Sequence, residues 1–414
     1  QNASSDATSA LNRARALRTL GEVQVTRQQF EQATATLASA AELLTPWTAV
    51  PDVARVEQLF EAGQIAYYRG LIAYRKRDLA AAGKSWQEYL QMARAFADLT
   101  PDRVRGAREI AYALTNLGTL EESREQFEQA LKYLQGAAEI RRGLNPGAGD
   151  ADSLDLANNL SWMASVYNEL GQPQTAWRLG NESLELLAAF GRDHPDHAGR
   201  RQREINYRLV QAQLALTLDH LTEARELLDG ALSLAQVDVT NDPTQPRRKA
   251  MLARIAFTLS RLWPPGAADG RQTLDSGATA LADLPPESLS KAERLPLDAL
   301  HCVAQLYQTP GAADCAEREL LRLTGPDSDG ADRFDLAVRA VELFQVLSAK
   351  DPVAAKRRYP DVVSLLDSVP PARRNKLRYL QLQSVLLDWS NPGDARLSEL
   401  DKRIQAMRAP LTDI

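Results

Sequence analysis

Small residues recur along this chain at two fixed offsets, and that recurrence restricts the fold more than any other feature. Within Ala111–Asn145 (AYALTNLGTLEESREQFEQALKYLQGAAEIRRGLN), Gly118 is followed twelve residues later by Ala130 and seven after that by Ala137. Phe127 lies three residues before Ala130 and Leu134 four after it. The stretch reads as two amphipathic helices meeting at a polar turn around Glu121–Arg124. Gly and Ala at these offsets let two antiparallel helices approach closely, while Phe127 and Leu134 fill the space beside them. One such pair cannot bury its apolar surface alone and must stack on copies of itself.

The copies are present. Gly21, Ala33 and Ala40 repeat both offsets, with Phe30 and Leu37 as fillers. Gly70 and Ala82 follow with Leu79 and Trp86, although Tyr89 takes the place of the second Ala. Ala164, Ala176 and Ser183 come next, introduced by Gly171-Gln172-Pro173, and then Ala212, Ala224 and Ala231 with Leu221 and Leu228. A local echo, PGAAD at Pro265–Asp269 and again at Pro310–Asp314, places two more units, with Arg271 and Ala316 at the equivalent sites. The sites 33, 82, 130, 176, 224, 271 and 316 are then 45 to 49 residues apart. Beyond Leu323 the pattern decays, and Asp351-Pro352 and Asn391-Pro392 read as N-caps followed by Pro in the first turn. Helical runs at 332–348 and 372–389 precede them. The expected organisation is a linker-like N-terminus over 1–10, about seven repeats over 11–324 and degenerate helical repeats with a C-terminal cap over 325–414. No β pattern competes.

The small–Ala–Ala spacing with an aromatic before the first Ala resembles the tetratricopeptide repeat; NLGTLEESREQFEQALKYLQGA and ASVYNELGQPQTAWRL carry the likeness. It covers at least residues 14–323. The resemblance implies an all-α, right-handed α-α superhelix of about nine helical hairpins, with helices longer than in the common repeat of about 34 residues. Long helices and the loop GRDHPDH (Gly191–His197) are closer to kinesin-light-chain-type repeats and to the sensor regions of bacterial signalling proteins, such as Ser/Thr kinases and STAND ATPases.

Charge and composition remove several function classes. The net charge is −5 with no basic stripe, so nucleic acid is not an expected partner. No apolar run approaches the roughly 20 residues that cross a bilayer, so no direct membrane contact is expected. Forty Arg against nine Lys hint at a GC-rich bacterial source. The chain starts at Gln1 rather than Met, with the low-complexity QNASSDATSA, and reads as a processed product or a piece of a longer protein. A kinase or ATPase domain upstream is a possible fusion, and the compartment stays open between a periplasmic sensor domain and a cytoplasmic region. Cys302 and Cys315 are the only cysteines. Antiparallel geometry places them about a helical turn out of register, so two buried thiols are favoured over a bridge.

No catalytic or cofactor signature is found: no GxxxxGK, HExxH, GxSxG or CxxC. Neither an enzyme nor a cofactor is expected. Gly143, Gly147 and Gly149 follow a helix and read as a stop. Asp193, His194, Asp196 and His197 resemble a metal cluster, but Pro195 and the following helix favour a capping loop, so no metal is expected. His301 has no nearby third ligand. Scattered Asp and Glu read as a solvated face.

The resemblance implies that the first helix of each pair lines the concave surface, through residues three before, one after and four after the small position. These are Arg18, Glu22, Val25; Tyr67, Leu71, Tyr74; Thr115, Thr119, Glu122; Ser161, Ser165, Asn168; Leu209, Gln213, Leu216; and His301, Gln305, Gln308. Six before it lie Gln64, Tyr112, Asn158 and Asn206. Neutral polar side chains plus Tyr suit a peptide backbone and its apolar side chains. Tight packing of the helices on one another also accommodates small polar residues. The candidate peptide- or protein-binding residues are Tyr67, Tyr74, Tyr112, Thr115, Asn158, Ser161, Asn168, Asn206 and Gln213. No Lys-based clamp for a chaperone tail is present. A protein- or peptide-binding sensor or interaction region of a larger bacterial regulatory protein is the leading expectation. A structural or self-association module fused to a catalytic domain, and a small-ligand sensor closed inside the superhelix, stand beside it.

Overall fold

The computed structural model describes residues 2–44, 52–144, 151–194, 197–308, 314–325, 328 and 331–409. Among these there are eighteen α-helices and no strand. The chain forms two compact units, Gln1–Val166 and Tyr167–Ile414. Unit 1 contains α1 (Asn2–Thr26), α2 (Phe30–Leu44), α3 (Asp52–Arg75), α4 (Leu79–Leu99), α5 (Arg103–Ser123), α6 (Phe127–Gly143) and most of α7 (Ala151–Glu169). Residues 2–10, read from sequence as linker-like, belong to α1. Unit 2 contains α8 (Pro173–Asp193), α9 (Ala198–Leu218), α10 (Leu221–Asn241), α11 (Pro246–Ser260), α12 (Ala268–Ala282), α13 (Lys291–Gln308), α14 (Asp314–Thr324), α15 (Arg333–Lys350), α16 (Pro352–Asp367), α17 (Leu377–Ser390) and α18 (Ala395–Arg408). No described helix is long and apolar enough to cross a membrane.

The small-residue offsets do the packing the sequence predicts. A Cβ on Gly21 would sit 2.8 Å from Leu37, one on Gly70 2.4 Å from Trp86, and one on Gly118 2.6 Å from Leu134. Each filler of a second helix therefore lies directly against the small residue of the first. Ala33, Ala82, Ala130, Ala176 and Ala224 are fully buried, as are Ala40, Ala137, Ser183 and Ala231. Leu221 is an exception: at the first position of α10 it is exposed.

Five of the turns between paired helices share one conformation. Gln28, Arg77, Glu125, Gly171 and Asp219 all have positive φ, between 60° and 74°, and each lies five residues before the repeat Ala. In each, the next residue's N–H reaches back five carbonyls and the positive-φ residue's N–H three, as in Gln126 N to Glu121 O (2.8 Å) and Glu125 N to Glu122 O (2.9 Å). This is the Schellman closure, which satisfies the helix-end carbonyls. Only one of the five is Gly.

In the next unit the structure differs from the sequence reading by one residue. Arg271 is exposed, and the buried register of α12 is Gly270, Leu274, Gly277 and Leu281. The equivalent site is thus Gly270, 46 residues from both Ala224 and Ala316. The turn residue Gly266 (φ +76°) lies four residues before it instead of five. Gln308 explains the slip: its Oε1 accepts from Gly266 N (3.0 Å), and it packs where a Cβ on residue 270 would fall. The second PGAAD echo lies almost entirely outside the described residues, as do Pro195, Asp196, Gly147 and Gly149. Gly143 is the last residue of α6.

Asp351 caps α16 as expected, accepting from Val353 N (3.1 Å) and Ala354 N (2.9 Å). Asn391 instead terminates α17, and Asp394 caps α18 through Arg396 N (2.9 Å). The helix starts three residues later than read because Asp394, not Asn391, supplies the capping oxygen. Cys302 on α13 and Cys315 in the first turn of α14 form a disulfide, with Cα atoms 5.9 Å apart. Cys315 lies in the first turn of α14, and the Cα separation is one that a bridge spans, overturning the expectation of two thiols.

Unit 2 closes on itself. Gln174 Nε2 donates to Arg408 O (2.7 Å), Gln381 Nε2 to Thr217 O (2.9 Å), and Arg408 Nη1 pairs with Asp219 Oδ2 (3.2 Å). Lys376 pairs with Glu169, a buried couple. The last helices thus rest on α8, α9 and the turns that flank them.

Candidate binding surface

In unit 1 the first helices α1, α3, α5 and α7 form one layer, and their polar side chains bond from each helix to the next. Glu61, 1% exposed, accepts from Arg15 Nε (2.8 Å) and Arg18 Nε (3.0 Å). Glu57 bridges Arg15 (2.8 Å) and Arg105 (3.3 Å). Gln64 Nε2 and Tyr89 OH both donate to Glu109 Oε2, each at 2.7 Å. Tyr89, the residue that interrupted the Ala pattern, therefore reaches from a second helix into this layer. Burial pushes the Glu109 carboxyl above its ordinary range, more than the Tyr89 hydroxyl, Arg105 and Gln64 pull it down.

Further along, Arg108 grips Asp152 with two bonds, 2.7 and 2.6 Å. Tyr112 donates to Asp155, and Arg141, 2% exposed, lies 4.9 Å from the Tyr112 ring centroid and 3.4 Å from Asp155 Oδ2. Burial, then Asp155, raises the Tyr112 phenol, so its proton stays on oxygen at physiological pH. Thr115 Oγ1 lies 3.0 Å from Asn159 Oδ1, and Asn159 Nδ2 donates to Leu134 O (2.8 Å). Tyr74 OH meets Ser123 Oγ at 2.7 Å, and Ser165 donates to Glu122 (2.8 Å).

The candidate residues separate between the units. Tyr67, Tyr74, Tyr112, Thr115, Asn158 and Ser161 are in unit 1; Asn168, Asn206 and Gln213 are in unit 2. Tyr67, Tyr74 and Tyr112 are half-buried against the apolar cluster around Trp86 and Leu117. Tyr67 meets Tyr68 edge to face (4.8 Å) and Tyr89 at a tilt (5.8 Å), and Tyr74 packs at a tilt on Trp86 (5.3 Å). Thr115 is buried; Asn158, Ser161, Asn168, Asn206 and Gln213 are half-buried. Five positions assigned to the groove are elsewhere: Val25, Thr115, Thr119, Leu209 and Gln308 are in the interior. His301 stacks on Phe257 at 4.6 Å, and burial lowers its pKa, so it is the neutral ring that packs there. His197 caps α9, its Nδ1 accepting from Arg200 N (3.0 Å).

The reading of scattered acids as a solvated face does not hold for Glu61, Asp152 and Glu342, which are buried and paired. In unit 2, Glu342 meets Arg339 (2.5 Å), Arg378 (3.0 Å) and Arg261 (3.4 Å). Burial alone would raise its pKa, but Arg261, Arg339 and Arg378 together outweigh it and bring the carboxyl down to about 2. Only Glu342 has a partner at helical spacing, Arg339 three residues earlier; for the others the available signal is a carboxylate on an otherwise apolar helix face.

No family model and no curated protein matches the chain. Among solved structures, RapI in its apo form and aspartyl phosphate phosphatase F from Bacillus subtilis are similar, each with a TM-score of 0.50 and 11% identity. The likeness covers 87% and 86% of this chain and 98% and 94% of theirs. At that identity the similarity is one of fold. Paired helices, small residues at fixed offsets against bulky fillers, and this shared architecture make the chain a tetratricopeptide-like helical-repeat protein.

Proposed function

We propose that the chain is a non-catalytic scaffold that captures an extended peptide or protein segment on the first-helix layer of unit 1. It would be the sensor or interaction region of a larger bacterial regulatory protein, with a kinase or ATPase as the catalytic partner. One observation carries the reading. Tyr67, Tyr74, Tyr112, Asn158 and Ser161 stand half-buried on α3, α5 and α7, within a layer already held rigid by its own ion pairs. Binding to such a layer orders few side chains, which lowers the entropic cost of capture. The Cys302–Cys315 bridge favours an oxidising compartment, and hence the periplasmic version of the sensor.

The test is selection of binders from a random peptide library on the full chain, followed by titration against a variant. Because the tyrosines also pack against the core, the variant combines Tyr67→Phe, Tyr74→Phe and Asn158→Ala, which keeps the rings. Affinity should fall at least about tenfold with little change in stability. Unchanged affinity in a stably folded variant would sink the assignment.

A further inference from the structure

Most acids of the unit 1 layer meet a counter-charge: Glu57, Glu61, Asp152 and Asp155 each face at least one arginine. Glu109 differs. It stands half-buried on α5, and among the described residues no cation lies within ion-pair distance of it. Arg105, one turn earlier on the same helix, has the spacing of a helical ion-pair partner. It is turned away, pairing with Glu57 (3.3 Å) and lying over the Phe60 ring, 4.0 Å from its centroid. The groups that do reach Glu109 are neutral. Gln64 Nε2 from α3 and Tyr89 OH from α4 both donate to Oε2, each at 2.7 Å. Two bonds from two neighbouring helices thus fix the carboxyl while using only one of its oxygens. Oε1 has no protein partner among the described residues and stays open to solvent. A half-buried carboxylate without a counter-charge costs stability, and a cation brought to Oε1 would offset that cost.

We infer that Glu109 Oε1 seats the ammonium group of a lysine side chain carried by the captured segment. Lysine suits the site better than arginine because a guanidinium fork pairs with both carboxylate oxygens at once, and Oε2 already accepts two bonds. An ammonium is a point charge and needs one oxygen only. Tyr112 stands one turn beyond Glu109 on α5, and Tyr67 one turn beyond Gln64 on α3, so two candidate tyrosines flank the carboxylate. Their rings offer apolar surface to the four-carbon stem of a lysine. The inference rests on peptide capture by this layer and adds the charge class of what is captured.

The experiment starts from a peptide selected on the full chain and rebuilds it, N-acetylated and C-amidated, with lysine, arginine, norleucine or glutamate at each position in turn. Fluorescence anisotropy gives Kd for each peptide against the parent and against Glu109→Gln, which keeps an oxygen for Gln64 and Tyr89. At one position lysine should bind the parent at least about tenfold more tightly than norleucine, with arginine between them. Glu109→Gln should remove that difference and leave the norleucine peptide unaffected. A merely structural role for Glu109 would weaken both peptides alike. Should Glu109→Gln fail to fold, Glu109→Asp, which withdraws the carboxylate by one methylene, should show the same selective loss. The inference is overturned by the absence of a lysine preference at every position, by a preference that survives in the folded variant, or by arginine equalling lysine. A gain seen only when the acetyl group is removed would put a terminal amine on the layer instead, and overturns it as well. Binders that are weakened by Tyr67→Phe, Tyr74→Phe and Asn158→Ala but indifferent to lysine leave peptide capture standing and remove this inference alone. Binders insensitive to that triple variant remove both.

Discussion

Replacing Glu342 by Gln keeps the shape of the side chain and removes its charge, leaving Arg261, Arg339 and Arg378 facing one another. The carboxyl lies at about 2 in the folded chain against an ordinary value of 4.5. A difference of roughly 2.5 units, at about 1.36 kcal/mol each, corresponds to about 3 kcal/mol. The side chain is 8% accessible, so solvent screening takes little of this away. The amide oxygen retains part of the hydrogen bonding, and a loss of about 2–3 kcal/mol is expected at pH 7, in line with breaking a buried ion pair. The sign follows from the depressed pKa. The contribution is fully present above the unfolded value near 4.5 and disappears as pH falls through about 2. Urea unfolding of parent and variant between pH 7 and pH 2.5 reads this directly, with the unit 2 transition fitted separately from that of unit 1. The gap between the proteins should be constant above about pH 5.5 and shrink steadily below pH 4.5. A gap under about 1 kcal/mol at pH 7, or one that does not change with pH, would refute the reasoning.

Other perturbations test the turns and the closure. Gly171 has φ +74°, and an added Cβ would lie 2.7 Å from Asn375 O, so Gly171→Ala should cost about 2–3 kcal/mol and raise hydrogen exchange in α17 and α18. Arg77→Gly and Glu125→Gly relieve left-handed conformations at φ 64° and 60°; each should stabilise unit 1 by about 0.5 kcal/mol after the extra chain entropy of Gly is deducted. Reducing the Cys302–Cys315 bridge, which closes a sequence separation of 13, should lower unit 2 stability by about 3 kcal/mol, seen as an earlier urea midpoint with dithiothreitol.

Much of the fold was legible because close helix contact is a local steric demand. Wherever a second helix carries Leu37, Trp86 or Leu134, the first must carry Gly, and that coincidence survives in the sequence. The turns were less legible: Gln28, Arg77 and Glu125 adopt the conformation usually assigned to Gly, so no residue type announces them. The one-residue slip at Gly270 was hidden because the PGAAD echo marks the turn, whereas the buried register is set by Gln308, 38 residues on. The burial of the candidate residues was not legible. Tyr67 and Tyr74 carry polar tips, yet their rings belong partly to the core. Glu61 and Glu342 look like surface acids until arginines from other repeats are brought against them, and such pairings depend on contacts more than 40 residues apart, as with Arg15 and Glu61, or 36, as with Arg378 and Glu342.

The central claim is that the first-helix layer of unit 1 is where a peptide is captured. Photo-crosslinking of a library-selected peptide to the full chain, with the attached residues mapped by mass spectrometry, tests it most directly. The account predicts crosslinks on α3, α5 and α7, centred on Tyr67, Tyr74, Tyr112, Asn158 and Ser161. Crosslinks confined to the second helices α2, α4 and α6, or to unit 2, would contradict it.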